Sequence, residues 1–200
     1  MTNEPSTNTI SDTFKSYCIF DTTSYWVYRD FNQQLTDTVM VRGHRTEQRL
    51  QVLPDQITSY RYEAILFDFE SGHMGLEKAE IIASQKQSTG DTLFERYRLY
   101  FSNGRYYTIL APEFPLNEIQ LFGEQEGSYT NIAFYNQFTL NGTSYQDVYR
   151  SSVKDYFNGP DTLRMEFWLA RNIGMIWFTA KNTQTNIAWS LTTSEVHNGI

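Results

Sequence analysis

The reactive inventory of this 200-residue sequence is short: three histidines, one cysteine and 23 acidic side chains. His44, His73 and His197 lie far apart, and none stands at ligand spacing from another His or from Cys18. His-Glu-x-x-His is absent, so no metal site is expected. A lone cysteine excludes an internal disulfide and any zinc site built on two or more thiolates. Cys18 sits in Tyr17-Cys18-Ile19-Phe20, the setting of a small buried hydrophobe rather than a nucleophile. Gly-x-Ser-x-Gly and the phosphate-cradling glycine patterns do not occur, and Ser-x-x-Lys has no strand-to-helix context. No catalytic residue and no cofactor is therefore assigned. Asp68 and Glu70 share a strand face at i and i+2, which a solvated edge explains.

One arrangement of side chains does suggest recognition. Arg96–Ser102 and Arg105–Leu110 are β-like runs separated by Asn103-Gly104, a strong hairpin signal because a type I′ turn needs positive φ at both central residues. A two-residue loop would pair Phe101 with Tyr106 and Leu99 with Thr108. One face, the core, then carries Tyr97, Leu99, Phe101, Tyr106 and Leu110. The other carries Arg98, Tyr100, Arg105 and Tyr107, where rings alternate with guanidinium groups. Such a face can stack a sugar ring or meet an acidic partner, and it is the candidate ligand-binding site. The structural alternative is an outer face stabilised by cross-strand Tyr and Arg pairs.

The elements that would carry these residues are strands. Phe, Tyr and Trp make up 16% of the chain, and large aromatic side chains suit a pleated, half-buried surface. A second hairpin turns at Asn141-Gly142 and places Phe138 opposite Tyr145; the turn accounts for the glycosylation sequon at Asn141. Further strands are expected at residues 24–31, 37–44, 59–69, 163–170, 174–179 and 186–192. Residues 59–69 also fit a short helix, and residues 75–84 are the other helix candidate. The expectation is one all-β domain over residues 14–200: nine or ten antiparallel strands in a curved sheet, sandwich or incomplete barrel, with at most one or two short helices. Residues 1–13 read as a disordered polar tail or tether. The acidic connection from Leu116 to Tyr129 is the longest, and long loops on β scaffolds often carry function.

A net charge of −7 repels phosphate backbones, so nucleic acid is not an expected partner. No stretch reaches the roughly 20 apolar residues that span a bilayer as a helix. The first residues lack the basic and apolar regions of a secretory leader. Two alternatives remain: a cytoplasmic protein, or a mature form whose leader has been removed and which is lipid-anchored in its full-length precursor.

Three stretches carry a family resemblance: Tyr25-Trp26-Val27-Tyr28-Arg29 followed by Asp37-Thr38-Val39; Leu140-Asn141-Gly142-Thr143-Ser144-Tyr145 through Val148; and Leu169 through Trp177. Together they resemble a loose group of uncharacterised envelope lipoproteins of Gram-negative bacteria. Ser24 departs from the group's Gly-Asn before the Trp, and Asn172 stands where Gly is usual; Asn is the best non-Gly residue for positive φ. The resemblance implies an envelope location, periplasmic or outer-membrane-anchored, and an open or barrel-like antiparallel sheet. It implies no activity. With no reactive constellation to build on, the expected function is a non-catalytic binding or interaction module for a small apolar ligand, a glycan or an envelope protein. The alternative is a glycan or lipid hydrolase whose carboxylates converge from separate strands.

Overall fold

The computed structural model describes residues 7–52, 59–85, 94–122, 126–156 and 161–197. These form one short helix, α1 (Asp12–Cys18), and strands β1 (Thr7–Asn8), β2 (Tyr25–Asp30), β3 (Leu35–Val52), β4 (Ser59–Glu70), β5 (Leu76–Gln85), β6 (Phe94–Phe101), β7 (Tyr106–Leu110), β8 (Ile119–Leu121), β9 (Ser128–Leu140), β10 (Thr143–Asp155), β11 (Leu163–Ala170), β12 (Gly174–Lys181) and β13 (Asn186–Glu195). They lie in a single curved sheet ordered β7-β6-β5-β4-β3-β2-β13-β12-β11-β10-β9-β8, antiparallel throughout. The two-residue β1 pairs in parallel with β4, off that path.

The architecture is thus an open antiparallel sheet, with thirteen strands among the described residues rather than nine or ten. β1 and β8 are too short to show a period. β5 replaces the helix candidate at residues 75–84: Ala79 and Ile81 are buried on one face and Glu80 and Ile82 on the other, so burial on both sides erases the alternation. Residues 59–69 settle as strand, with β4 pairing both β3 and β5. Residues 1–6 of the expected tail lie outside the described residues. From Thr7 onward the chain is engaged with the sheet: Ile10 is buried and its N–H donates to Glu63 at 2.9 Å.

Where alternation is clear, it places the core. In β2, Trp26 and Tyr28 turn inward, and in β11, Met165, Phe167 and Leu169 do the same. α1 lies on this face. Ser11 caps it, accepting the Phe14 N–H at 3.2 Å, and Phe14, Tyr17 and Cys18 at i, i+3 and i+4 form the buried stripe. The Asn172 N–H donates to the Ser16 carbonyl at 2.6 Å, tying the β11–β12 turn to the helix. Asn172 has φ +61, the backbone that Asn tolerates best after Gly.

The two Asn-Gly turns differ. Asn141 and Gly142 both have positive φ, and Phe138 pairs with Tyr145 as the two-residue loop requires. At the first hairpin only Gly104 does, the Asn103 carboxamide accepts the Arg105 N–H at 2.9 Å, and the Phe101 N–H donates to the Arg105 carbonyl at 2.8 Å. That is a three-residue loop with glycine in the left-handed position, and it slips the register by one. Tyr100 now pairs with Tyr106, and Leu99 with Tyr107.

Candidate ligand-binding site

The one-residue slip decides where the hairpin's polar side chains go. Arg98, Tyr100, Tyr106 and Thr108 share a face, while Tyr107 turns in beside Leu99 and Phe101. Arg98 donates to Glu80 at 2.9 Å and to Glu126 at 2.7 Å. Tyr100 donates its hydroxyl to Glu80 at 3.0 Å, and Arg49 reaches the same carboxylate at 2.5 Å. Burial pushes the Glu80 carboxyl up, but the Arg49 hydrogen bond and the Arg98 charge outweigh it and hold its pKa below the usual range. Arg105 grips Asp155 with two nitrogens, at 3.0 and 2.6 Å, and Tyr107 donates to the same carboxylate at 2.6 Å. Arg96 is the most deeply placed cation of the group. Burial and the neighbouring Arg98 lower its pKa to about 10, with Glu126 only within 3.6 Å and the rings of Phe94 and Phe122 beside it.

These contacts cross between the ends of the sheet. No ladder joins β7 to β8 among the described residues; side chains span the gap instead. Thr108 donates to Glu126 at 2.7 Å, Ser151 donates to the Ile109 carbonyl at 2.6 Å, and Asn131 donates to the Ala111 carbonyl at 2.8 Å. The Ala111 N–H donates to the Tyr129 hydroxyl at 2.9 Å. Backbone groups of an edge strand that would otherwise be orphaned are thus satisfied by side chains. Glu126 can reach in because Gly127, at φ +70, lets the loop press on β10: a Cβ there would stand 2.3 Å from the Lys154 carbonyl oxygen. The acidic connection from Leu116 to Tyr129 therefore supplies a structural carboxylate in Glu126, and Glu124 lies outside the described residues.

A second group of polar side chains surrounds empty space. Between α1 and the sheet is a pocket of about 240 Å³ lined by Ser11, Thr13, Phe14, Tyr17, Glu95, Pro112, Glu113 and Tyr149. Glu95, at the start of β6, is 5% exposed; both its oxygens face Ser11, which donates its N–H and its hydroxyl. Glu113 follows β7 and accepts the Glu95 N–H at 3.1 Å. Neither carboxyl makes an ion pair with a described Lys or Arg. Although Glu113 reaches the surface, its carboxyl is shielded by the pocket walls, and that desolvation, with repulsion from Glu95, lifts its pKa to about 7. The rings of Tyr17 and Tyr149 meet edge to face at 5.4 Å, and Phe134 packs on the far side of Tyr149 at 4.8 Å. Tyr17 is 4% exposed, yet neither its hydroxyl nor that of Tyr149 hydrogen-bonds to a described residue. Burial pushes both phenols up. Arg171, which also acts on Tyr17, is itself paired with Asp147 at 3.2 Å.

Sequence reasoning gave no weight to Tyr17, Glu95, Glu113 and Tyr149. One signal was present: Ser11 ahead of Phe14, Tyr17 and Cys18 is a capped, one-faced helical turn. Glu95 and Glu113 belong to different elements, and no spacing rule joins them. A second, apolar recess walled by Phe20, Trp26, Tyr28, Tyr97 and Met175 is only about 20 Å³, room for about one water molecule. Among the described residues no three His, Cys, Asp or Glu side chains cluster to hold a metal ion, and no helix is long and apolar enough to cross a membrane.

Fold and site together define a class: an open single-sheet β-protein whose core face holds a short helix beside a mixed aromatic and acidic pocket. No family model matches the chain, and no curated protein does. Among solved structures, the chain is similar to one described as a "putative lipoprotein" from Parabacteroides distasonis, at 9% identity and a TM-score of 0.39, over 88% of this chain and 96% of that one. At that score the likeness carries no conclusion about this chain.

Proposed function

We propose that this chain is a non-catalytic binding module of the cell envelope that holds a small ligand between α1 and the sheet. The observation that carries the reading is the pocket of about 240 Å³ between α1 and the sheet, where the hydroxyls of Tyr17 and Tyr149 hydrogen-bond to no described residue and the Glu113 carboxyl accepts backbone N–H groups but pairs with no described cation. A recess with apolar walls and a few open polar groups is the usual make-up of a ligand site, the walls giving contact and the polar groups orientation. In this reading Arg98, Tyr100, Arg105 and Tyr107 serve the site by holding the β6–β7 wall that carries Glu95 and Glu113. The envelope location is supported by the sequence resemblance at Tyr25–Arg29, Leu140–Val148 and Leu169–Trp177, and it is tested by fractionating cells that express the full-length gene.

A hydrolase is the second reading, favoured by the convergence of Glu95 and Glu113 and by the raised pKa of Glu113, as a general acid requires. Against it, both Glu95 oxygens are engaged by Ser11, leaving no free partner carboxylate to act as base or nucleophile. Ligand-observed NMR with a chemically mixed set of small molecules tests the binding reading. Thr13→Trp, an exposed pocket-lining position, should abolish the signals of compounds that bind the native chain. If no compound loses its signal in that variant while its fold is intact, the reading fails; turnover of a glycoside or ester would establish the second.

A further inference from the structure

The chain repeats one labile pair: Asn-Gly occurs at residues 103–104, 141–142, 158–159 and 198–199, the last two outside the described residues. We propose that the β6–β7 turn is a site of self-modification, where Asn103 loses its side-chain amide through a cyclic imide formed with the Gly104 nitrogen and becomes aspartate or isoaspartate. The step needs only water. The Gly104 nitrogen gives up its proton to hydroxide and attacks Cγ of Asn103. The new N–Cγ bond closes the ring, the Cγ–Nδ2 bond breaks, and ammonia leaves with a proton taken from water. Water then opens the imide at either carbonyl, so one water enters for each ammonia released and nothing is oxidised or reduced.

Three features of the turn favour ring closure. Asn103 and Gly104 are both exposed, and nothing lies within 4 Å of where a Gly104 side chain would begin, so the ring has room to form. The Arg105 N–H donates to Asn103 Oδ1 at 2.9 Å, the oxygen on which negative charge develops as the nitrogen adds. The Asn103 amide nitrogen, which must leave, donates to no described residue. Opposing closure is the bond from the Gly104 N–H to the Phe101 carbonyl at 2.9 Å, and an exposed turn opens such a bond readily. The second hairpin is built the other way. Asn141 takes φ +50, and its amide nitrogen is tied at 2.7 Å to the hydroxyl of the buried Ser190, so its side chain cannot swing to the Gly142 nitrogen without breaking that bond. An isoaspartate at position 103 adds a main-chain carbon to the loop whose length sets the register of β7, which carries the change to Arg105 and Tyr107 at Asp155.

The test incubates the native chain, and the same chain unfolded in guanidinium chloride, at mildly alkaline pH, with peptide mass spectrometry resolving residues 103 and 141. Unfolded, the two Asn-Gly pairs should convert at similar rates. Folded, Asn103 should outpace Asn141 by about tenfold or more, the worth of the hydrogen bond that anchors the Asn141 amide. An isoaspartate methyltransferase should label the peptide containing position 103. Ser190→Ala, with its fold checked by NMR, should bring Asn141 towards the Asn103 rate. Conversion of Asn141 as fast as Asn103 in the folded chain, an Asn103 that stays intact while the unfolded chain converts at both positions, or an Asn141 rate untouched in folded Ser190→Ala overturns the assignment.

Discussion

Two regions a few residues apart use the same side-chain types to opposite ends. At the seam between the sheet's ends, Glu80, Glu126 and Asp155 are each met by arginine nitrogens and by a hydroxyl of Tyr or Thr. In the pocket beneath α1, Glu113 accepts backbone N–H groups and pairs with no described cation, and Tyr17 and Tyr149 have no hydrogen-bond partner among the described residues. In the seam each carboxylate is paired, although the Arg98 Nε is buried without a hydrogen bond, and such a network rigidifies a fold; the open groups of the pocket are not buried in this way and cost the fold little. The seam does the work of a strand ladder; in the pocket the Ser11–Glu95 bonds tie α1 to the sheet, while Glu113, Tyr17 and Tyr149 stay open.

The sharpest break of that comparison is Glu126→Ala. It takes one of two carboxylates from Arg98 and the nearest described carboxylate from Arg96, whose side chains are 15% and 10% exposed, and frees Thr108, so unfolding stability should fall by about 3 kcal/mol in urea titrations. A loss under about 1 kcal/mol would mean that water already satisfies the seam. Next, Arg105 and Tyr107 share Asp155, so a double-mutant cycle between Arg105→Ala and Tyr107→Phe should show coupling of about 0.5–3 kcal/mol. Additive costs would show that the two contacts are independent. Smallest is Tyr17→Phe, which removes a hydroxyl with no partner; stability should change by about 0.5 kcal/mol or less, in contrast with Tyr107→Phe.

Much of the sheet was legible because one face of most strands is buried: Trp26 and Tyr28 in β2, or Met165, Phe167 and Leu169 in β11, declare period two. β5 was not, since its burial is two-sided, and neither were β1 and β8, which are too short. The two Asn-Gly pairs show the limit most clearly. Both mark a turn, but whether Asn itself takes positive φ decides the loop length, and with it which face receives Tyr107. That single slip sent Arg105 and Tyr107 to the inner face, where they meet Asp155, while Arg98 and Tyr100 stay on the other face beside Glu80, their neighbour across β5–β6. The pocket was illegible for another reason: Tyr17, Glu95, Glu113 and Tyr149 come from four places in the chain, and only the packing of α1 against the sheet brings them together.

The central claim, that Glu113 is held for a ligand and not for the fold, has a direct measurement in the pH dependence of unfolding for the native chain and Glu113→Gln. A carboxyl whose folded pKa is raised to about 7 contributes stability that is fully present below its unfolded value near 4.5 and is lost as pH rises through about 7. Gln mimics the protonated form. At about pH 5 the two proteins should therefore be nearly alike, and at about pH 8 Glu113→Gln should be the more stable, by about 1 kcal/mol or less because water at the surface screens the charge. A Glu113→Gln protein less stable than the native chain at about pH 8 would show that the carboxylate holds the structure together, and would contradict the account.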